Sequence, residues 1–459
     1  MFEASSYASR RSALIKALAA RGVTSGLVLL VGNGESPMNY LDNTYPFRQD
    51  SSFLYFIGIS QAGLAATIDV STGEACLFGD DLTIDDIVWT GPQPDMRQLA
   101  SRSGISRVRG RAELQAAVAG AAVHYFPPYR AETRAELASL LAKSPAAVDT
   151  GASLPLIRAT IELRERKTAE ELAELEIAVA VTVEMHRAAI ATARPGMKES
   201  DVMARVAQVA LSAGRLAFPP IATTKGATLH IHSYDRRLES GGLFLLDAGA
   251  ESPEGYSGDL TSTFPIDPKF DERQLAIYEI LLQTHALACG MIRPGLAYRE
   301  VHFAAARSIV TGLKGLGIMK GDVDEAVASG AHALFFPHGL GHQMGLDVHD
   351  MENYGEVWVG YNGEPKSSQF GLRSLRLAKP LLTGMVLTVE PGIYFIPELI
   401  SLWKAEGRFT DFVNYDKLGP WMAVGGIRNE EDWLVTESGG RRLGPEFPKG
   451  PKAIEEMRG

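Results

Sequence analysis

Apolar positions in the first third of the chain fall into short runs. "GLVLLVG" (26–32) is unbroken and predicts a buried strand. "AATIDVSTGEACLFG" (65–79) places two β-rich runs on either side of Ser71-Thr72-Gly73 and predicts a hairpin turning there. The opening "MFEASSYASRRSALIKALAARG" starts polar, then spaces its apolar residues as an amphipathic helix, without the continuous apolar core of a signal peptide. The pattern changes near "LIRATIELRERKTAEELAELEIAVAVTVEMHRAAIA". From Thr168 onward Glu and Lys gather on one side, with Leu, Ile and Val at helical spacing on the other. A boundary close to residue 160 is expected, giving domains 1–160 and 161–459.

The longer part carries an internal repeat. "RPGMKESDVMARVAQVALSAG" begins at Arg194 and "RPGLAYREVHFAAARSIVTGLKGLG" at Arg293. In each copy a helix ends at Arg-Pro-Gly, an amphipathic helix follows, and glycine-punctuated strands come next. Two similar halves facing one another would leave a cleft between them, a common place for a site.

Composition narrows the class. With 459 residues, two domains are the natural expectation; 46% hydrophobic and 22% charged residues describe a folded chain. A net charge of −10 without a Lys/Arg block argues against nucleic acid as a partner. No apolar segment is long enough to span a membrane. Two cysteines, Cys76 and Cys289, build neither a disulfide framework nor a cysteine zinc site, so a reducing, cytoplasmic setting is expected.

The densest chemistry lies in "FFPHGLGHQMGLDVHD" (335–350), with three of the ten histidines. His338 and His342 are four apart, but the glycines between them and the absence of a Glu after the first exclude the zinc helix H-E-x-x-H. The histidines of a glycine-rich strand or loop must find partners elsewhere. Strand-like runs supply them: Asp247 ends "GGLFLLD", Asp259 precedes "LTSTF", Glu390 follows "GMVLTV", and Glu430 lies in "GGIRNEEDWLV". Any one such acid reads as a turn-former or cap with its head in water. The set needs more positive charge than nearby arginines provide. Two divalent cations would supply it, and four carboxylates with one imidazole suit Mn²⁺, Co²⁺ or Zn²⁺. A hydroxide held between two such ions is a nucleophile at neutral pH.

These segments resemble the signatures of the pita-bread metallopeptidases, within them the prolidase and aminopeptidase P group. The likeness rests on "LLDAGA…GYSGDLTSTFP", "PHGLGHQMGLDVHD", "MVLTVEPGIYF" and "GGIRNEED", with "YPFRQDSSFLYFIGI" similar to the start of an aminopeptidase P-type N-terminal domain. The resemblance implies an α+β chain: an N-terminal α/β domain, then a duplicated catalytic domain with a curved, mainly antiparallel sheet. It implies that Asp247, Asp259, His342, Glu390 and Glu430 hold two divalent ions, Mn²⁺ first and Co²⁺ or Zn²⁺ as alternatives. Glu390 would double as proton shuttle. His338 and His349 would orient substrate and stabilise the oxyanion, His230 would be a further cleft histidine ahead of His232, and Arg428 would fix a carboxylate behind the ligands. Asp347 and Asp350 are read as structural.

The implied activity is hydrolysis of the Xaa-Pro bond. "GLRSLR" resembles prolidase, and its second arginine, Arg376, matches a residue that pairs with the free carboxylate of a dipeptide; the bland alternative is a solvated basic patch with Arg373. An Xaa-Pro aminopeptidase acting on longer peptides is the rival. A pita-bread protein without catalysis would have lost ligands, and all five are present. Three features depart from the family pattern: "FPPIATTKGATLH" lacks Gly-x-Gly-x-Asn, twelve positions rather than one fewer separate Asp247 from Asp259, and Asn429 stands beside Glu430. A homodimer is expected, as in relatives.

Overall fold

Each predicted run in the first third becomes the element its pattern requires. Leu27–Val31 is a central strand buried along its middle, and Ala65–Asp69 pairs with it antiparallel. The chain reverses after Asp69, whose carboxylate accepts from the Ser71 and Thr72 amides, and Gly73 takes the positive φ of 74° that the turn needs. Ala75–Phe78 then completes the hairpin. Arg107–Arg109 and Val123–His124 add parallel edges on the two sides, giving a five-stranded mixed sheet. Leu29, Phe78, Leu114, Tyr125 and Leu137 form part of its core. The opening helix spans Ala4–Ala19 and buries Tyr7, Leu14 and Leu18.

This computed structural model describes residues 1–458. Its backbone clusters into two units, Met1–Arg164 with Asn353–Gly355, and the remainder. No described helix is long and apolar enough to cross a membrane.

The second unit shows the repeat as structure. Ala169–Thr192 starts at Thr168, whose side chain and Glu171 cap each other, and ends just before Arg194-Pro195-Gly196. Glu272–Met291 likewise ends just before Arg293-Pro294-Gly295. Gly196 and Gly295 take φ values of 89° and 82°, and each turn leads into an amphipathic helix, Glu199–Ala213 or Tyr298–Gly315. The first half continues into the antiparallel strands Ile221–Thr223, Leu243–Ala248 and Leu260–Pro265. The second continues into Val386–Val389, Glu431–Thr436 and Gly439–Arg442, also antiparallel. A bridge between Thr261 and Glu430 joins the two sheets. This is the pita-bread arrangement that the resemblance implies, and the segment between Asp247 and Asp259 turns where the Ser252 amide donates to the Tyr256 carbonyl.

Candidate active site

Strand ends deliver the acids. Asp247 is the fifth residue of Leu243–Ala248 and stands opposite Thr261 in the antiparallel register. Asp259 immediately precedes the neighbouring strand, Glu390 follows Val386–Val389, and Glu430 precedes Glu431–Thr436. The glycine-rich stretch then runs alongside Val386–Glu390. Amides of Met344, Thr388 and Glu390 bond to carbonyls of Val386, His342 and Leu340 respectively. Gly341 is required there, because a Cβ would lie 2.1 Å from the Thr388 carbonyl oxygen. His342 is thereby pressed against the strand that carries Glu390.

All ten residues singled out from the sequence line one cavity of about 380 Å³: Asp247, Asp259, His342, Glu390, Glu430, His338, His349, His230, Arg376 and Arg428. His232 also reaches it. His230 and His232 are exposed, at its rim.

His342 Nε2 lies 3.4 Å from Asp259 Oδ2 and 3.7 Å from Glu390 Oε1. One ligand atom each from Asp259, His342 and Glu430 falls within 4.8 Å of the others. Such separations are long for hydrogen bonds and fit donors that share an ion. His342 Nδ1 sits 3.1 Å from the Gln343 carbonyl, which fixes the proton on Nδ1 and leaves the Nε2 lone pair towards the acids.

Charge tells the same story. Burial, then repulsion from Asp247, pushes the Asp259 carboxyl well up from its usual range. Burial, then Asp259, does the same to Glu430. Glu390 is pushed up to about 8, chiefly by burial, with Asp259 and Asp247 adding to it against Arg428. Burial lowers His342 to about 4, so its ring is neutral and able to ligate. Asp259 Oδ1 is buried with no hydrogen-bond partner. A cluster of carboxylates with an orphaned oxygen and a neutral imidazole calls for added positive charge, and its oxygen-rich donor set fits hard or borderline divalent ions.

Arg428 knits the rear wall. Its Nη2 donates to Asp247 Oδ2 at 2.6 Å, its Nη1 to the Tyr394 hydroxyl at 2.8 Å, and its Nε to Thr261 Oγ1 at 3.2 Å. Thr261 in turn donates to Glu430 Oε2 at 2.7 Å. The Tyr394 hydroxyl, accepting from Arg428, stands 2.9 Å from His338 Nε2, while His338 Nδ1 meets the Gly339 carbonyl at 2.8 Å. Both nitrogens of His338 therefore have protein partners. His349 differs: Nδ1 donates to Glu352 Oε2 at 2.6 Å, and its ring lies 4.0 Å, centroid to centroid, from that of His342.

Arg376 is no solvated patch. Its Nε donates to Glu352 Oε1 at 2.6 Å, and its side chain is one-third exposed. Sequence reasoning missed Glu352, Tyr394 and Thr261. Only Glu352 left a trace, as an acid three residues beyond His349. Asp350 is structural, forming a buried pair with Lys167 at 2.8 Å.

The chain matches the description "Metallopeptidase family M24" over residues 173–437 and "Aminopeptidase P, N-terminal domain" over residues 7–124. It is 32% identical over 432 residues to the Xaa-Pro dipeptidase of Homo sapiens, covering 91% of this chain and 86% of that protein. It is 30% identical over 468 residues to the Xaa-Pro aminopeptidase of Escherichia coli strain K12, covering 98% of this chain and 96% of the other. Among solved structures it resembles zinc-substituted E. coli aminopeptidase P in complex with product, with a TM-score of 0.82, 28% identity and coverage of 100% and 98%. The chain belongs to metallopeptidase family M24. Its relatives include both Xaa-Pro dipeptidases and Xaa-Pro aminopeptidases.

Proposed function

We propose that this protein hydrolyses the Xaa-Pro peptide bond, preferentially in dipeptides, with Asp247, Asp259, His342, Glu390 and Glu430 holding two divalent ions, Mn²⁺ first and Co²⁺ or Zn²⁺ as alternatives. The convergence of these five side chains in one cavity with Arg376 in its wall carries the reading. Such ions, when bound, polarise the scissile carbonyl and make water nucleophilic at neutral pH.

The protein's own groups then have distinct tasks. Glu390, whose carboxylate faces both His342 and His338, takes a proton from the attacking water and passes it to the departing proline nitrogen. Arg428 pairs with Asp247 and fixes its orientation. His338, fixed through Tyr394, shapes the cavity wall. His349, whose Nδ1–H is held by Glu352, turns its other ring nitrogen to the cavity and orients substrate there. His230 closes the rim.

Arg376 would grip the dipeptide's carboxylate, which a longer peptide lacks at that position. The Arg376–Glu352 pair favours a second reading, an Xaa-Pro aminopeptidase, since the guanidinium already has one anionic partner within the protein. Steady-state kinetics of the Mn²⁺-loaded protein on Ala-Pro and Ala-Pro-Ala decide between them. A strong dipeptide preference that Arg376→Ala abolishes is expected. Equal or better cleavage of the tripeptide establishes the aminopeptidase instead.

A further inference from the structure

Glu352 stands where two substrate-facing groups meet. One carboxylate oxygen accepts from Arg376 Nε and the other from His349 Nδ1, both at 2.6 Å. A second acid, Glu356, lies 3.9 Å from the same Arg376 nitrogen, but it also pairs with Lys366. Glu352 is thus the principal counter-ion of Arg376. Among the described residues, the Arg376 guanidinium makes no hydrogen bond except this one, so its terminal Nη groups remain for a ligand.

We propose that Glu352 is a specificity-determining residue: it tempers Arg376 and holds down the protein's preference for substrates ending in a free carboxylate after proline. The inference rests on the reading that Arg376 receives that carboxylate. A dipeptide brings a second negative charge to a guanidinium already flanked by one, so part of the attraction is spent against Glu352. A longer peptide presents a neutral amide at the same place and meets no such repulsion. Glu352 therefore narrows the gap between the two substrate classes. It also orients the guanidinium through Nε, which keeps the planar fork available for a bidentate partner.

Glu352→Gln removes the charge while its amide oxygen still accepts from Arg376 Nε; its NH2 then faces His349 Nδ1, which must become the acceptor. The change also touches His349, but that histidine serves both substrates, so its effect cancels in the ratio of their kcat/KM values. The assay uses the full-length, Mn²⁺-loaded protein on Ala-Pro and Ala-Pro-Ala, comparing wild type, Glu352→Gln, Arg376→Ala and the double variant. The dipeptide-to-tripeptide ratio should rise roughly five- to tenfold in Glu352→Gln, the size suited to one partly screened like charge. The rise should come through a lower KM for Ala-Pro and be absent in the Arg376→Ala background. Glu352→Asp, which keeps the charge, should leave the dipeptide-to-tripeptide ratio near the wild-type value, whatever its effect on overall rate. If Glu352→Gln does not fold, Glu352→Ala removes the same charge and should raise the ratio.

An unchanged or lower ratio in Glu352→Gln, with Arg376→Ala still abolishing dipeptide preference, overturns the role of Glu352 and leaves that of Arg376 standing. A rise that persists without Arg376 also overturns it, since the charge would then act elsewhere. If Arg376→Ala leaves the ratio untouched, the carboxylate reading of Arg376 falls and the tempering role falls with it.

Discussion

Chelating divalent ions should make the stability of this protein fall as pH rises above neutrality. Glu390 shows why. Burial and its acidic neighbours hold its carboxyl at about 8, against 4.5 for the exposed group. Between those values the folded state keeps a proton that the unfolded chain has lost, so stability declines as pH climbs and the loss is complete only above about 8. From pH 6.5 to 8, Glu390 alone removes about 1.5 kcal/mol. Asp259 and Glu430 are raised as well and act in the same direction.

The window opens at pH 6.5 for a reason. Burial lowers His338, His342 and His349 to about 3, 4 and 4, so they oppose the trend only below the ordinary imidazole value of 6.5. For a unit of this size, 1.5 kcal/mol lowers the Tm by about 2–3 °C. Differential scanning calorimetry at matched ionic strength, with chelator and then with excess Mn²⁺, reads the effect. Bound ions compete with protons for the same oxygens, so Mn²⁺ should raise the Tm and flatten or reverse its pH dependence. A chelated protein at least as stable at pH 8 as at pH 6.5 would refute the view that these acids crowd one another without a cation.

Two substitutions probe the supports of the site. Arg428→Met strips the partner from Asp247 and should destabilise the chelated protein by about 3 kcal/mol, less with Mn²⁺ present; denaturant titration with and without metal checks this, and equal losses in both states would count against it. Gly341→Ala brings a Cβ to 2.1 Å from the Thr388 oxygen, so His342 must shift. Metal analysis should show fewer bound equivalents and calorimetry a loss of about 1–3 kcal/mol, whereas wild-type values in both would dismiss the packing argument.

Much of the site is legible in the sequence because its ingredients are local. An acid at the end of an apolar strand is anomalous in one dimension, and Asp247, Asp259, Glu390 and Glu430 each carry that anomaly. The glycines between His338 and His342 likewise announce a close backbone approach, which Thr388 supplies at Gly341 and Ser374–Leu375 at Gly339. The paired Arg-Pro-Gly turns mark the duplication because a helix stop is written in adjacent residues.

The rest depends on distance along the chain. Thr261 and Glu430, 169 residues apart, bond only because the two sheets meet at that bridge. Tyr394 is an ordinary apolar-strand tyrosine until Arg428 and His338 converge on its hydroxyl. Arg376 reads as a free fork until Glu352, 24 residues earlier, is found on its Nε. Strand patterns, turns and charge excess follow from neighbouring residues, so the sequence by itself determined which acids end apolar strands and how much negative charge they bring. Which proton or charge each group shares is a matter of a few ångströms between segments far apart in sequence, and only the tertiary structure decided that.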